Sequence, residues 1–180
     1  GEVMQLIASD NIKTTEDQYM HIIEAKTAEL FSTACVVSAL IAESKEEEIN
    51  ALISFGKNLG IAFQLKDDAL DYSGDEKILG KNIGDDFFEG KVTLPIILAY
   101  RRGNVSEREF LENSFNNKIR NKDLLKKAIK IINQYNTIND TLSKAKQHGR
   151  VAKDALAIFP ETEFKAALMK LVDFSIIRSH

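Results

Sequence analysis

Two stretches of this chain, Ala28 to Ala42 and Leu52 to Leu65, are apolar or small on nearly every face of a helix; the exceptions in the second are Ser54, Lys57, Asn58 and Gln64. A helix that is apolar all round is accommodated only where other helices surround it. Small residues such as Ala34, Ser38, Gly56 and Gly60 allow backbones to approach closely. The rest of the pattern agrees with a bundle. There are only two prolines, Pro95 and Pro160, and no segment sustains period-2 alternation. The patterning predicts an all-α fold with helices at 2–12, 16–43, 45–72, 93–103, 106–116, 121–135, 139–159 and 161–178, those over 16–43 and 45–72 innermost. Capping boxes are expected from Thr15 to Gln18, Ser44 to Glu47 and Ser106 to Glu109. Leu142, Ala145, Ala152, Leu156 and Phe159 are expected to line one late helix, and Leu168, Leu171, Val172 and Phe174 the last.

With 180 residues the chain is expected to form a single domain over 1–180, and at 44% hydrophobic and 28% charged it can build a core. A formal charge of −3 argues against nucleic acid as a partner. The single cysteine, Cys35, excludes an internal disulfide and a Cys-based zinc site. It reads as a buried small hydrophobe, consistent with a reducing compartment and a cytoplasmic location. The longest near-apolar run, Leu30 to Ala42, has 13 residues, too short to span a bilayer. His21, His148 and His180 lack metal-ligand spacing. The chain opens at Gly1-Glu2, which leaves a fragment, a processed product or a partly represented chain as readings.

Chemistry concentrates in Phe63-Gln64-Leu65-Lys66-Asp67-Asp68-Ala69-Leu70-Asp71. At about 100° per residue, Ile49, Ile53, Gly56, Gly60, Phe63, Gln64, Asp67 and Asp71 share one face, so an apolar stripe runs directly into two carboxylates. Inward carboxylates must be paired, protonated or bound to cations. Asp67 and Asp71, one turn apart, suit a hard divalent cation such as Mg²⁺. The competing reading is a frayed helix end with solvated acids. Four of the nine glycines then fall between Tyr72 and Leu94, at Gly74, Gly80, Gly84 and Gly90, among Lys77, Lys81 and Lys91. Such a segment can approach and neutralise a phosphate, or it is a solvated loop. Lys26, between Ile22, Ile23 and Leu30, either snorkels to solvent or points into an anion-lined cleft. No Walker loop, dinucleotide glycine motif or Ser/His/Asp set is present, and the spacing after Asp67 excludes an EF-hand.

The chain resembles the C-terminal part of an all-trans polyprenyl diphosphate synthase. The resemblance rests on Gly1-Glu2-x-x-Gln5, Lys26-Thr27, Phe63-Gln64-x-x-Asp67-Asp68-x-x-Asp71, Gly80-Lys81 and Gly84-x-Asp86-x-x-Glu89-Gly90-Lys91-x-Thr93-Leu94-Pro95, in the family's order and spacing. The closing Asp173-Phe174-x-x-x-Arg178-Ser179 looks most like long-chain, octaprenyl- or decaprenyl-type members. The resemblance implies a helical bundle of the isoprenoid synthase type and head-to-tail condensation of isopentenyl diphosphate with an allylic diphosphate, with Mg²⁺ as cofactor. It implies that Asp67, Asp68 and Asp71 hold the metal, and that Lys26, Lys81 and Lys91 bind the diphosphate. Thr27 and Gln64 would stand beside the reacting carbons. It also implies a homodimer and a loop over 73–92 ordered mainly by ligand. The family's first aspartate-rich motif and its basic isopentenyl-diphosphate site do not occur in these residues, so half an active site is expected. A non-catalytic partner subunit that keeps the fold is the alternative; a terpenoid cyclase is disfavoured by Lys26-Thr27 and the Gly80 to Lys91 segment.

Overall fold

The computed structural model describes residues 1–73, 83–117 and 119–177. Every regular element among them is helical: α1 (Glu2–Ala8), α2 (Glu16–Ile23), a π-helical turn (Glu24–Ala28), α3 (Glu29–Ile41), α4 (Glu46–Ser73), α5 (Asp85–Glu89), α6 (Leu94–Arg102), α7 (Val105–Asn116), α8 (Lys122–Gln134), α9 (Thr137–Ala155) with a 3₁₀ turn (Leu156–Ile158), and α10 (Glu163–Ile177). α4 is the axis of the bundle. It packs most extensively against α9, then α3, and also touches the π turn, α6 and α10.

Local chemistry accounts for most boundaries. The Thr15–Gln18 capping box forms, with both reciprocal hydrogen bonds present. The box expected at Ser106–Glu109 forms two residues earlier, where Asn104 accepts from the Glu107 N–H at 3.0 Å and Glu107 accepts from the Asn104 N–H at 2.8 Å. Before α4 it is Glu48, not Glu47, that reaches back, accepting from the Lys45 N–H at 2.9 Å. The helix expected over 2–12 stops at Ala8, because Asp10 adopts a left-handed φ of 62° and donates its N–H to the Gly90 carbonyl at 2.8 Å. The short α5 was not anticipated; Gly84 and Gly90, both at positive φ, bracket it.

The expectation of two inner helices requires correction. The helix read over 16–43 is interrupted by the π turn, and α3 packs by one face only, through Phe31, Ser32, Cys35 and Ala39. Leu30, Val37, Leu40 and Ile41 are exposed, Ile41 at 80%. Among the described residues no second neighbour exists to satisfy the all-round apolar composition of α3. Cys35 is accordingly half-buried rather than buried. The last helix is corrected similarly: Leu168 and Val172 face inward while Leu171 and Phe174 are exposed.

Two apolar clusters result. The larger joins Tyr19 and Ile23 to Ile61 and Leu65 of α4 and to Leu94, Ile97, Leu111 and Ile132. The smaller gathers Phe55, Leu59, Ala152, Leu156 and Val172. The acidic end of α4 borders the first.

Candidate functional site

The contact between the π turn and α4 is nearly backbone on backbone. A Cβ at Gly60 would lie 2.5 Å from Ala28 Cα, and one at Gly56 would lie 2.7 Å from the Phe31 carbonyl oxygen. Only glycine allows this approach. It brings Thr27 against α4, where its hydroxyl donates to Gln64 Oε1 at 2.8 Å. A π turn inserts one residue into the helical repeat, and such turns recur at functional sites. Here it holds Lys26 and Thr27 side by side while Leu30, one turn later, is left outside at 73% exposure. Lys57 ties the turn down further, 3.1 Å from Glu24.

The three carboxylates of α4 have three different surroundings. Asp68 is 3% exposed; Oδ2 accepts from the Tyr19 hydroxyl at 2.5 Å and Oδ1 from Gln64 Nε2 at 2.8 Å. Burial, then the charge of Asp86, pushes its carboxyl up to about 8. Asp71 accepts from the Asp86 N–H at 3.2 Å, and its backbone carbonyl accepts from the Gly84 N–H at 2.9 Å. Burial and Asp86 push it up to about 7. Asp67 faces the cavity described below. Asp86 itself is raised by burial, which the neighbouring Lys91 partly offsets. Lys91 lies 3.1 Å from Asp86 and 2.6 Å from Glu89; those carboxylates raise its ammonium group although burial acts to lower it.

A cavity of about 180 Å³ opens among α1, α2, α4 and the segment after α5. Its walls carry Lys26, Gln64, Asp67, Asp68, Asp86 and Lys91. Lys26 donates to Gln5 and lies 3.4 Å from Glu2, so α1 holds the lysine at the rim. Thr93 is buried on the same wall, its hydroxyl beside the buried Tyr72 phenol. Lys91 is aimed by the turn before it. Gly90 has φ 75°, its carbonyl accepts from the Asp10 N–H, and Asp10 pairs with Arg120. A Cβ at Gly90 would lie 2.1 Å from Asp10 Oδ1.

The structure thus brings together Lys26, Gln64, Asp67, Asp68 and Lys91, with Thr27 joined through Gln64. Asp71 stands behind the wall on the Asp86 backbone. Lys81, with Gly80, Lys77 and Gly74, lies outside the described residues, as do Arg178, Ser179 and the 74–82 portion of the loop expected to order on ligand. Tyr19 and Asp86 were missed as site residues. Tyr19 left a faint signal, a phenol among inward-facing isoleucines; Asp86 lies in a short irregular segment with no period to read.

Among the described residues no group of three or more His, Cys, Asp or Glu side chains is arranged to hold a metal ion. The donor set still suits Mg²⁺, which is commonly bound through one or two carboxylates plus phosphate oxygens rather than by a protein cage. Asp68, Asp71 and Asp86 are raised first by burial and then by neighbouring carboxylates, and a divalent cation would offset both. The two lysines suit an anion beside it.

A family profile described as Polyprenyl synthetase matches residues 1–132. Octaprenyl diphosphate synthase of Haemophilus influenzae is 37% identical over 180 residues, covering 100% of this chain and 54% of the relative. The all-trans-nonaprenyl-diphosphate synthase (geranyl-diphosphate specific) of Rhodobacter capsulatus is 37% identical over 178 residues, covering 99% and 54%. Among solved structures, a decaprenyl diphosphate synthase from Rhodobacter capsulatus superposes with a TM-score of 0.92 at 37% identity, covering 99% of this chain and 55% of the other. A polyprenyl synthase from Caulobacter crescentus, complexed with calcium and isoprenyl diphosphate, gives 0.93 at 41% identity, with coverage of 99% and 55%. The chain spans about half the length of these relatives.

Proposed function

This chain belongs to the polyprenyl synthetase family, and from that premise we propose that it is the C-terminal part of a trans-polyprenyl diphosphate synthase. The intact enzyme condenses isopentenyl diphosphate with an allylic diphosphate and so extends a prenyl chain. The observation that carries this reading is the cavity in which Lys26 and Lys91 stand with Asp67, Asp68 and Asp86, beside the Thr27–Gln64 hydrogen bond.

Lys26 and Lys91 neutralise the allylic diphosphate as point charges, with Lys81 expected to join them. Asp67 and Asp71 are the residues that would hold Mg²⁺; Asp68, grouped with them in the sequence, engages Tyr19 and Gln64. When bound, the ion supplies Lewis-acid neutralisation of the departing diphosphate. As that bond lengthens, positive charge develops on the allylic carbons, and the oxygens of Thr27 and Gln64 stabilise it electrostatically. The allylic C–O bond breaks with its electron pair on the diphosphate, the isopentenyl double bond forms the new C–C bond, and the proton lost from the resulting cation passes to the released diphosphate. Ile22 and Ile23, buried residues that line the cavity, keep water from the cation.

The exposed apolar residues of α1, α3 and α10, among them Ile7, Ile41 and Ile177, support a reading in which these helices are covered in the working enzyme. We infer a homodimer on that basis together with the family. No described helix is long and apolar enough to cross a membrane; a cytoplasmic site of action is part of the proposal. The same apolar faces favour, as the second reading, a non-catalytic subunit docked on a catalytic partner.

The test is incorporation of radiolabelled isopentenyl diphosphate into longer chains, with and without Mg²⁺. The full-length enzyme and the 180 residues alone are run in parallel. Mg²⁺-dependent elongation by the full enzyme and none by the 180 residues is expected. Failure of the full enzyme to elongate any allylic primer would leave the subunit reading.

A further inference from the structure

Both oxygens of Asp68, the most buried carboxylate of the acidic stretch, are engaged. Oδ2 accepts from Tyr19 at 2.5 Å and Oδ1 from Gln64 Nε2 at 2.8 Å. Gln64 Oε1 accepts in turn from the Thr27 hydroxyl at 2.8 Å. Three helical segments, α2, the π turn and α4, therefore contribute to one line of hydrogen bonds. The inventory of donors and acceptors gives the line a direction. With Asp68 ionised both of its oxygens only accept, Oδ2 from the single hydrogen of the Tyr19 phenol and Oδ1 from Gln64. A primary amide has one donating and one accepting end, so the end facing Asp68 must be nitrogen and the end facing Thr27 must be oxygen. The only hydroxyl hydrogen of Thr27 is then committed to Gln64, and what Thr27 retains is lone pairs.

We propose that Tyr19 and Asp68 are positioning residues that fix the orientation of the Gln64 amide, so that Thr27 and Gln64 present oxygen rather than hydrogen-bond donors to developing positive charge. The assignment rests on the prenyl-transfer reading for its consequence, but the alignment itself is a property of these four side chains. A reversed amide would turn its NH₂ toward Thr27 and release the hydroxyl hydrogen to point elsewhere. The dipole beside the reacting carbons would then change sign, with the packing untouched. Asp68 acts here through Gln64, not as a ligand of the metal. Burial of Tyr19 at 3% exposure and of Asp68 at 3% protects the line from competing water.

Tyr19→Phe keeps the ring and removes the donor. In the full-length enzyme it is expected to lower kcat by about ten- to a hundred-fold, the scale of a misaligned reacting group. KM for both diphosphates and the Mg²⁺ concentration for half-maximal rate should stay unchanged. In a Gln64→Ala background the same change should cost nothing further, because the group it aligns is gone. An unchanged kcat, a full additional loss in the Gln64→Ala background, or a raised Mg²⁺ requirement on Asp68→Asn would each overturn the assignment. A measurement without turnover separates this from the functional reading: the side-chain amide NMR signal of Gln64. One of its two protons should be shifted and protected from exchange in the wild type, and released in Tyr19→Phe. If Tyr19→Phe compromises folding, Asp68→Asn is read in the same way. Should the wild-type enzyme fail to elongate prenyl chains, the functional reading falls and the amide signal still decides the alignment. A signal that Tyr19→Phe and Asp68→Asn leave in place sinks it.

Discussion

The two lengths of α4 meet opposite environments on one continuous helix. From Phe55 to Leu65 it is packed on both sides, with Phe55, Leu59, Ile61, Ala62 and Leu65 each at most 3% exposed. From Asp67 to Tyr72 it carries Asp68 and Asp71 into surroundings that penalise their charge. The first length is locally consistent: composition, helix propensity and burial agree. The second is not, and its cost in the absence of a ligand is electrostatic. Stability and the proposed capacity to bind cation and phosphate are therefore separated along a single helix, a few turns apart. The glycines that seat Thr27, Gly56 and Gly60, lie in the stable length.

Substitutions in the two lengths should separate cleanly. The largest effect is expected from Phe55→Ala, which empties a site in the smaller apolar cluster. Unfolding free energy in urea should fall by about 3–5 kcal/mol, while kcat per folded molecule is unchanged. A comparable loss of turnover in the folded fraction would break the separation. Next is Asp67→Ala, expected to lower the rate of the full enzyme by about 10²–10³-fold while thermal unfolding stays the same or rises slightly, since a like charge beside Asp68 and Asp86 is lost.

The pH dependence is the third test. Asp68 and Asp71 are raised to about 8 and about 7 in the folded state, against an unfolded value of about 3.9. Between those limits the folded protein holds more protons than the unfolded one, so stability falls as pH rises. In chelator, the melting temperature should climb as pH is lowered from about 8 toward about 5, and the gain should level off near the unfolded value. Each kcal/mol corresponds to roughly 2–4 °C in a chain of this size. Asp71→Asn should flatten the slope, and so should saturating Mg²⁺. A melting temperature rising with pH over that window would show that these carboxylates are already compensated. The smallest effect is expected far from both lengths: Asn104→Ala removes the cap of α7 and should cost about 1 kcal/mol in urea unfolding, with activity unaltered.

Fold class and the acidic focus were legible because each rests on a repeated pattern. Helical periodicity runs through almost the whole chain, and carboxylates interrupting an apolar stripe stand out. What was not legible depended on neighbours. The helical wheel assigned Asp67 and Asp71 to the inward face, yet Asp68 is the buried one, because Tyr19 arrives from another helix to meet it. Asp86 stood in a quoted motif without being given a role, and α5 escaped because five residues between two glycines carry no period. The outer face of α3 escaped because all-round apolar composition registers the need for a cover, not its presence. Several caps moved by one or two residues where a better side chain lay nearby, as Asn104 did for Ser106.

The step from Ile23 to Ala28 is the last such case, and its effect reaches furthest. Buried positions before it follow at three or four residues; across it the step is five. α3 is thus indexed by one extra residue, and its rotational phase is inherited from the turn that carries Lys26 and Thr27. Straightening the turn into a regular helix with all its residues kept would rotate everything downstream by about 100°. Ser32 and Ala39 would turn away from α4 while Leu30 and Ser38 turned toward it. The extra residue is therefore absorbed where it stands: losing it would leave the face of α3 in register and abolish only the turn that carries Lys26 and Thr27.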